Sequence, residues 1–402
     1  MNNIITDKNR IEEIFSRGTV VEVLPSREAF IEKLVSGERL RMYIGFDPTA
    51  TSLHIGHAKN IMFMEELRQL GHEIIILFGD FTARIGDPDK NSTRKQLTEE
   101  EVANNVSDWI NQVKPLISFD DPANPAKIMY NSAWLSKLNF TDIVNIASNF
   151  TVQQMIERDM FAKRLAEKTP IHLHEFMYPL MQGYDSVAMD VDVEVCGTDQ
   201  IFNALAGRTL LKRMKDKDKF VVALNLIANP VTGELMSKSN GTGVFISLPP
   251  NEMFGALMAL PDPLIEPLFT NCTRIPLSDK NSIMSLGPRL AKASVAYDIV
   301  KKIHGEQAAE NAENNFEATF AKGGLPENIQ EIHLPNSGKV VLADLLIQAN
   351  IVPSKAEWRR LIENGAVRNE DDTKISDPNF LPLKTMVLKI GKRRFVKLVK
   401  GS

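Results

Sequence analysis

One crossover between two buried strands constrains the fold of this chain more than any other feature. Residues 40–46 are a short apolar run, and an Asp-Pro-Thr turn ends it. Residues 58–70 follow with apolar side chains at roughly helical spacing, and residues 73–78 are a second apolar run. This order predicts a strand, a helix and a second strand parallel to the first, because parallel strands need a long crossover connection.

Later segments extend the same pattern. Residues 191–197 alternate valine with acidic residues, and residues 219–227 give a further strand signal. Strands that alternate with helices favour an open, mostly parallel sheet, which binds ligands beyond the carboxyl ends of its strands. We therefore expect an α/β fold built on a Rossmann-like, doubly wound parallel sheet. The residues before about 40 are expected to be amphipathic helix around a short turn.

The pattern changes after residue 248 and again near residue 325. Helical stripes interrupted by prolines fill the first of these segments, and the tail mixes helices, short strands and basic residues. We expect a sheet domain over 1–232 with an insertion at about 125–190, a mobile loop over 233–247, an α-helical domain over 248–325, a linker over 326–335 and a small α/β module over 336–402.

Composition excludes several classes of protein. Apolar residues make up 43% and charged residues 24% of the 402 residues, which excludes a disordered or fibrous chain. The formal charge of −4 argues against a wholesale polyelectrolyte binder, and two distant cysteines exclude a disulfide scaffold and a cysteine-rich zinc site. The sequence has no apolar run of about 20 residues, and we expect its first residues not to be a signal peptide. We expect a cytoplasmic protein without membrane or DNA partners and without a protein-bound metal.

The segment from Gly45 to His57 connects the end of a predicted strand to the start of a predicted helix. Amide groups at a helix N-terminus attract anions, and Gly56 lets a ligand approach the backbone between His54 and His57. Imidazole N–H groups beside such amides suit a triphosphate whose charge must be stabilised in a transition state. The alternatives are plain surface polarity or two zinc ligands, and the lack of a third nearby ligand disfavours zinc.

A second group of candidate residues is polar on a helical face where apolar side chains would be expected. Tyr178, Gln182 and Asp185 fall at i, i+4 and i+7 on one helical face. If that face is buried, each polar group needs a partner, since leaving one bare costs roughly 1–3 kcal/mol. A solvated face on an ordinary helix is the alternative.

Three weaker signals accompany these two. Asp199, at the end of a predicted strand, can hold ribose hydroxyls, although alone it is equally a helix N-cap. Lys238 lies in a loop rich in Ser, Gly and Asn, where a lysine is either solvated or able to reach a transferring phosphate. Basic residues in the tail suit a nucleic-acid backbone, or are simply solvated; they are Arg359, Arg360, Arg368, Lys392, Arg393 and Arg394.

Together and in this order, these segments resemble the class I aminoacyl-tRNA synthetases, specifically the bacterial tyrosyl-tRNA synthetases, over essentially the whole chain. Residues 45–57 look like that family's HIGH region, and residues 235–239 occupy the place of its KMSKS loop. Residues 178–185 and 197–200 look like its tyrosine-binding helix and its adenylate-contacting turn. The tail resembles the α-L RNA-binding module of bacterial members.

The resemblance implies an activity and its partners. L-tyrosine would react with ATP to give tyrosyl-adenylate and pyrophosphate, and the tyrosyl group would pass to the terminal adenosine of tRNA(Tyr). Residues 248–325 would recognise the anticodon, and residues 336–402 would bind RNA. The resemblance also implies Mg²⁺ accompanying ATP and a homodimer.

The resemblance implies a role for each candidate residue. Tyr43 and Asp185 would hold the phenol of the substrate, with Asn131 beside the same pocket. Its ammonium would be held by Asp87, Tyr178 and Gln182. The phosphates of ATP would be contacted by His54, His57, Thr49 and Lys238. The remaining nucleotide contacts would come from Gly45, Asp47, Gly56, Gly197, Asp199 and Gln200.

The chain departs from the family pattern at two positions. Leu235 stands where the loop usually begins with a lysine, which removes one of two cations expected near the pyrophosphate. We expect Lys238, with Arg94 or Lys95, to carry more of that role. Cys196 stands where a glycine is usual.

Three other functions are compatible with parts of the sequence. A tryptophanyl-tRNA synthetase shares the architecture but has less need of a Tyr and Asp pair and does not usually carry the α-L tail. A small-molecule nucleotidyltransferase shares the His-x-Gly-His device but not the helical segment or the basic tail. A non-catalytic RNA-binding relative is suggested by Leu235 and opposed by the retained histidines.

Overall fold

The computed structural model describes residues 4–86, 97–236, 243–321, 329–334, 341–349, 351–369, 373–380, 385–391 and 394–400. The chain divides into two compact units, Met1–Ala309 and Glu310–Ser402. In the described ranges, no helix is long and apolar enough to cross a membrane.

The first unit is built on a six-stranded sheet. Its strands are β1 (Val20–Leu24), β2 (Arg41–Phe46), β3 (Glu73–Phe78), β4 (Lys127–Tyr130), β5 (Val193–Gly197) and β6 (Phe220–Leu224), in the spatial order β1-β6-β5-β2-β3-β4. β1 pairs antiparallel with β6, and the other five strands are parallel. Counted from β2, the parallel strands lie in the order 3-2-1-4-5, which confirms the predicted doubly wound sheet.

The topological switch point of the sheet lies between β2 and β5, because β3 and β4 follow on one side of β2 and β5 and β6 on the other. β2 is paired with β3 along its whole length, from Arg41 to Phe46. Its registered pairs with β5 are only Met42 with Val193 and Tyr43 with Glu194. The two strands therefore separate beyond Tyr43, at their carboxyl ends, and leave room for a ligand.

Helices cover both faces of this sheet, as buried parallel strands require. Those of the first unit are α1 (Lys8–Ser16), α2 (Arg27–Val35), α3 (Ile55–Gln69), α4 (Glu99–Val113), α5 (Ser132–Leu135), α6 (Phe140–Ala147), α7 (Val152–Ile156), α8 (Asp159–Ala166), α9 (Met177–Met189), α10 (Ile201–Lys215), α11 (Pro250–Ala259), α12 (Ile265–Cys272), α13 (Lys280–Ser285) and α14 (Pro288–His304). α15 (Glu306–Phe316) crosses the division between the units.

Two local features differ from the sequence-based expectation. The first 40 residues contain a strand, β1, between α1 and α2, where we expected only helix and a turn. Helices do follow residue 248, as expected, but up to Ala309 they belong to the same compact unit as the sheet. Arg17 helps to hold them there, because its guanidinium donates to the carbonyls of Thr270 (2.9 Å) and Ile275 (3.0 Å).

In its described residues after 321, the second unit contains a four-stranded sheet and two helices. The strands are β7 (Gln330–Leu334), β8 (Val367–Asn369), β9 (Met386–Ile390) and β10 (Arg394–Lys400), in the order β7-β10-β9-β8, and the helices are α16 (Leu342–Gln348) and α17 (Lys355–Glu363). Their core is apolar around the fully buried Trp358. β7 lies within residues 326–335, which we expected to be a linker, and its parallel pairing with β10 makes it part of the sheet instead.

Candidate functional site

A cleft of about 320 Å³ opens where β2 and β5 separate. Its walls come from the ends of these strands, the start of α3, the polar face of α9 and the turn after β5. Of the predicted site residues, those that line it are Tyr43, Gly45, Asp47, His54, Gly56, His57, Asn131, Tyr178, Gln182, Asp185, Gly197, Asp199 and Gln200. The structure thus brings segments 150 residues apart in the chain to one place.

Two imidazoles cap the start of α3. His54 is the N-cap residue, and its Nδ1 accepts from the Gly56 amide at 3.1 Å. The His57 Nδ1 accepts from the His54 amide at 3.3 Å, and the two ring centroids are 4.0 Å apart. A Cβ at Gly56 would lie 2.7 Å from the His54 ring, so the close packing of this turn needs glycine. The cleft therefore faces a helix N-terminus, which favours an anion.

The loop from β2 to α3 is held by α4. Asn105 donates to the Pro48 carbonyl at 2.8 Å, and the Trp109 indole donates to the Ala50 carbonyl at 2.6 Å. Thr49 lies in this loop, where its amide donates to the Asp47 carbonyl at 2.8 Å. Thr49 is not among the described residues that line the cleft.

Asp47 connects this loop to two other elements of the site. Its carboxylate accepts from the Thr82 hydroxyl and from the Tyr178 hydroxyl, each at 2.7 Å. Tyr178, expected to contact the substrate ammonium, therefore also fixes the loop after β2. Because Tyr178 lies on α9, this contact ties the two sides of the cleft together.

Polar groups buried at one end of the cleft could recognise an amino acid. The Tyr43 hydroxyl is hydrogen-bonded to the Ser186 hydroxyl at 3.0 Å. The Asp185 carboxylate accepts from the Trp134 indole at 2.7 Å and from the Asn131 amide at 3.3 Å. Burial raises the pKa of the Asp185 carboxyl and, with the negative charges nearby, raises the pKa of the Tyr43 phenol.

Behind this end of the cleft lies an ion pair that the sequence analysis did not identify. Glu194 on β5 and Lys219 just before β6 are in contact, with their side chains 2% and 0% exposed. Lys219 also donates to the Ser186 hydroxyl at 2.8 Å, and Gln182 donates to Glu194 at 3.0 Å. An acidic residue in a central parallel strand is the signal that could have revealed the pair, because both faces of such a strand are covered.

The turn after β5 forms the opposite end of the cleft. The Gln200 amide donates to Asp199 at 3.2 Å, and Asn203 donates to both Gln200 (2.9 Å) and Gln182 (3.0 Å). Asn203 thereby links the two ends of the cleft. A Cβ at Gly197 would lie 2.4 Å from an Asp199 carboxylate oxygen, so glycine lets that side chain fold back over the turn.

The two residues that depart from the family pattern, Leu235 and Cys196, also line the cleft. Leu235 and Met236 line it directly, with Leu235 46% exposed. Cys196 is buried and packs in an apolar cluster with Ala204 and Ala223. Two residues predicted for the cleft, Asp87 and Lys238, lie outside the described residues, as do Arg94 and Lys95.

The predicted RNA-binding residues belong to the second unit. Arg359 and Arg360 are exposed on α17, and Arg360 forms an ion pair with Glu357 at 2.8 Å. Arg368 and Arg394 are half-buried, and Arg394 donates to the Ile351 carbonyl at 2.5 Å. Lys392 and Arg393 lie outside the described residues.

Solved structures of other proteins share this fold. A C-terminally truncated mitochondrial tyrosyl-tRNA synthetase from Aspergillus nidulans matches with a TM-score of 0.65 at 21% identity, covering 77% of this chain and 94% of that one. The tyrosyl-tRNA synthetase from Archaeoglobus fulgidus, complexed with L-tyrosine, matches with a TM-score of 0.59 at 20% identity, covering 76% and 99%. At these identities the likeness concerns the fold alone.

Sequence comparison gives the family. The model for tRNA synthetases class I (W and Y) matches residues 36–321. The tyrosine--tRNA ligase of Carboxydothermus hydrogenoformans is 41% identical, over 98% of this chain and 99% of that protein. The tyrosine--tRNA ligase of Haemophilus influenzae is 38% identical, over 98% of each. The chain therefore belongs to the class I tRNA synthetases of the W and Y type, among the tyrosine--tRNA ligases.

Proposed function

We propose that this protein is a tyrosine--tRNA ligase that activates L-tyrosine with ATP and transfers the tyrosyl group to tRNA(Tyr). One observation carries the proposal beyond family membership. A helix start capped by two imidazoles and a buried polar pocket around Tyr43 and Asp185 line the same cleft. The first suits a triphosphate, and the second suits the side chain of an amino acid that bears a hydroxyl.

In the first step, a carboxylate oxygen of tyrosine attacks the α-phosphorus of ATP. A new P–O bond forms while the bond to the β-phosphate oxygen breaks, so pyrophosphate leaves and tyrosyl-adenylate remains. No protein nucleophile is needed, and the chain contributes positioning and charge stabilisation. We assign the second role to His54, His57 and the dipole of α3, because charge grows on the phosphate oxygens in the transition state. The first amides of α3 already donate to acceptors within the protein.

In the second step, a hydroxyl of the terminal adenosine of tRNA attacks the carbonyl carbon of the adenylate, and AMP leaves. We propose that the exposed arginines of α17 bind the RNA backbone, together with Lys392 and Arg393 near the end of the sequence. Residues 248–325 remain our proposed anticodon-recognition segment.

Selection of tyrosine would follow from the polar groups at the amino-acid end. A tyrosine hydroxyl can donate to Asp185 and accept from Tyr43, whereas phenylalanine would leave buried groups without a partner. Tryptophan lacks that hydroxyl as well, which disfavours a tryptophanyl enzyme. Two hydroxyl donors already occupy the Asp47 carboxylate, so we keep Tyr178, Gln182 and Asp87 as the proposed ammonium contacts.

Further expectations concern ions, assembly and location. Mg²⁺ would enter with the ATP phosphates; among the described residues, no cluster of three His, Cys, Asp or Glu side chains could hold a metal ion. A homodimer is supported by strongly exposed apolar side chains between residues 140 and 173, of which Phe140, Val152 and Leu173 are 80%, 69% and 77% exposed. Cytoplasmic location stays a prediction.

The test is ATP–pyrophosphate exchange measured with each of the amino acids in turn, followed by aminoacylation of tRNA(Tyr). We expect exchange that depends on tyrosine and charging of that tRNA. Exchange with tryptophan instead would contradict the assignment of the substrate. Absence of exchange with every amino acid would favour the non-catalytic RNA-binding relative.

A further inference from the structure

A buried lysine lines the cleft and, among the described residues, lacks the charged partner that such a group needs. Lys59 lies on α3 and is 2% exposed. Its one hydrogen bond goes to the Asn60 side-chain oxygen, at 2.8 Å. Among the described residues, no carboxylate forms an ion pair with it. The buried Lys219 behind the cleft, by contrast, is paired with Glu194.

An ammonium group has three N–H donors, so Lys59 has two for which the described residues provide no acceptor. Burying a charge without partners is unfavourable, and replacing such a group by an apolar one is often neutral or stabilising for the fold. Lys59 therefore does not stabilise the folded chain in the way that Lys219 does. Its charge is explained if a ligand in the cleft supplies the missing acceptor.

The position of Lys59 indicates which part of a ligand it would meet. It lies three residues after Gly56, on the same helical face and about 4.5 Å deeper along α3. The phosphates would sit at the start of that helix. Lys59 is therefore displaced from them, toward the nucleoside.

The charges around Lys59 indicate which chemical group of the ligand it would contact. Burial is the main influence on the ammonium, and Asp199, in the turn after β5, also acts on it electrostatically. Burial lowers the pKa of Lys59 to about 8, which leaves it mostly protonated at neutral pH. A phosphate would be repelled by Asp199. A hydroxyl can donate to that carboxylate and accept from the lysine, so it satisfies both groups.

We propose that Lys59 is a nucleotide-binding residue, which donates from Nζ to a ribose hydroxyl of ATP while that hydroxyl donates to Asp199. The inference rests on the proposed function, in which ATP occupies this cleft. It adds a contact from the interior of α3 to those at the helix start. The contact would form only when the nucleotide is bound.

The experiment is direct binding of ATP, 2′-deoxyATP and 3′-deoxyATP by calorimetry, without amino acid or tRNA, to the full-length protein and to Lys59→Met. We expect Lys59→Met to bind ATP at least about tenfold more weakly. We also expect it to lose the preference that the unaltered protein shows for ATP over one of the deoxy analogues. Its melting temperature should equal or exceed that of the unaltered protein.

Lys59→Gln keeps a neutral donor and should recover part of the lost affinity. Unchanged ATP binding in Lys59→Met, or a lower melting temperature with unchanged binding, would show that Lys59 is structural and overturn the inference. Weaker binding with the analogue preference intact would also overturn it, because the contact would then lie elsewhere on ATP. The proposed function fails separately, if the unaltered protein binds ATP but shows no tyrosine-dependent exchange.

Discussion

Asp185 is the residue whose chemistry is most specific to a hydroxyl-bearing substrate. It lies 3% exposed in the cleft wall, where Trp134 and Asn131 hold its carboxylate. Donors on the protein side orient the carboxylate and leave further lone pairs for a substrate. A buried acceptor of this kind is costly to leave unsatisfied, and it therefore discriminates between hydroxylated and plain rings.

We predict that Asp185→Asn lowers kcat/KM for tyrosine by about 10- to 100-fold, the value of a charge-assisted hydrogen bond. The KM for ATP should change far less, because the nucleotide end of the cleft is intact. Pyrophosphate exchange at varied tyrosine and varied ATP separates the two effects. Asp190→Asn, at the exposed end of the same helix, is the control. Equal losses for both substrates would contradict the assignment.

Lys238 is predicted to carry the charge that Leu235 does not supply. Lys238→Ala should slow adenylate formation by about 10- to 100-fold, since a cation on the leaving pyrophosphate contributes roughly 1.5–3 kcal/mol. Stopped-flow measurement of adenylate formation checks this. Leu235→Lys, at a half-exposed position in the cleft wall, should restore part of the rate in the double variant. An unchanged rate in Lys238→Ala would refute the prediction.

Individual residues were predictable from sequence where local geometry decides their environment. His54, His57 and Gly56 sit at a strand-to-helix junction, and the polar stripe of α9 is visible from helical spacing alone. Glu194, Lys219 and Lys59 were missed, because each charge is buried by elements distant in sequence. Nothing local distinguishes Lys219 from the solvated lysines that surround it at positions 215 and 217.

At the scale of elements, the start of α3 combines close packing with its two imidazole caps. We predict that Gly56→Ala displaces the His54 ring, because the added Cβ would lie 2.7 Å from it. The rate of adenylate formation should fall at least about tenfold, whereas the KM for tyrosine should change little.

The control for this change is Gly255→Ala, in α11, where an added Cβ meets nothing within 4 Å. It should leave activity unaltered and stabilise the helix by up to about 1 kcal/mol. Melting temperatures of the two variants show whether Gly56→Ala remains folded. Full activity in Gly56→Ala would mean that the His54 ring position does not matter for the reaction.

β5 and β6 are joined across their faces by the buried pair of Glu194 and Lys219. We predict that Lys219→Met destabilises the fold by about 3–5 kcal/mol, because Glu194 would keep a buried charge without its partner. Adding Glu194→Gln should recover most of the loss. Urea denaturation measures both. Lys212→Met, which removes an exposed pair with Asp216, should match the unaltered protein.

Elements were predictable where their signals are local and strong. The capping box Thr98-x-x-Glu101 is visible in the sequence and begins α4, with the two side chains and amides bonded reciprocally at 3.1 and 2.8 Å. β1 and β7 were missed, because each is short and each exists through a partner remote in sequence, β6 and β10 respectively. Pairing of that kind depends on the whole fold and leaves little local trace.

At the scale of the whole molecule, the described residues that line the cleft all come from the first compact unit. We predict that a fragment of residues 1–321 retains tyrosine-dependent pyrophosphate exchange, since the first step needs only this cleft. Aminoacylation of tRNA(Tyr) should fall strongly, because the proposed RNA-binding arginines are removed.

The comparison needs both assays on the same preparation of the fragment. The full chain with Arg359→Ala and Arg360→Ala serves as a control that keeps the second unit, and its charging of tRNA should become more sensitive to salt. Loss of exchange in a folded fragment would mean that the second unit also serves the first step. Undiminished aminoacylation of tRNA(Tyr) by the fragment would show that the second unit is not needed for RNA binding.

Lys59, for which the described residues provide no carboxylate partner, has a consequence for any attempt to make this protein more resistant to heat. A screen that rewards only resistance to unfolding should favour apolar replacements at position 59, because they remove a buried charge. Such variants would resist unfolding better and would bind the nucleotide more weakly. A replacement at position 59 that raises heat resistance would then lower the saturation of the protein with ATP at cellular concentrations.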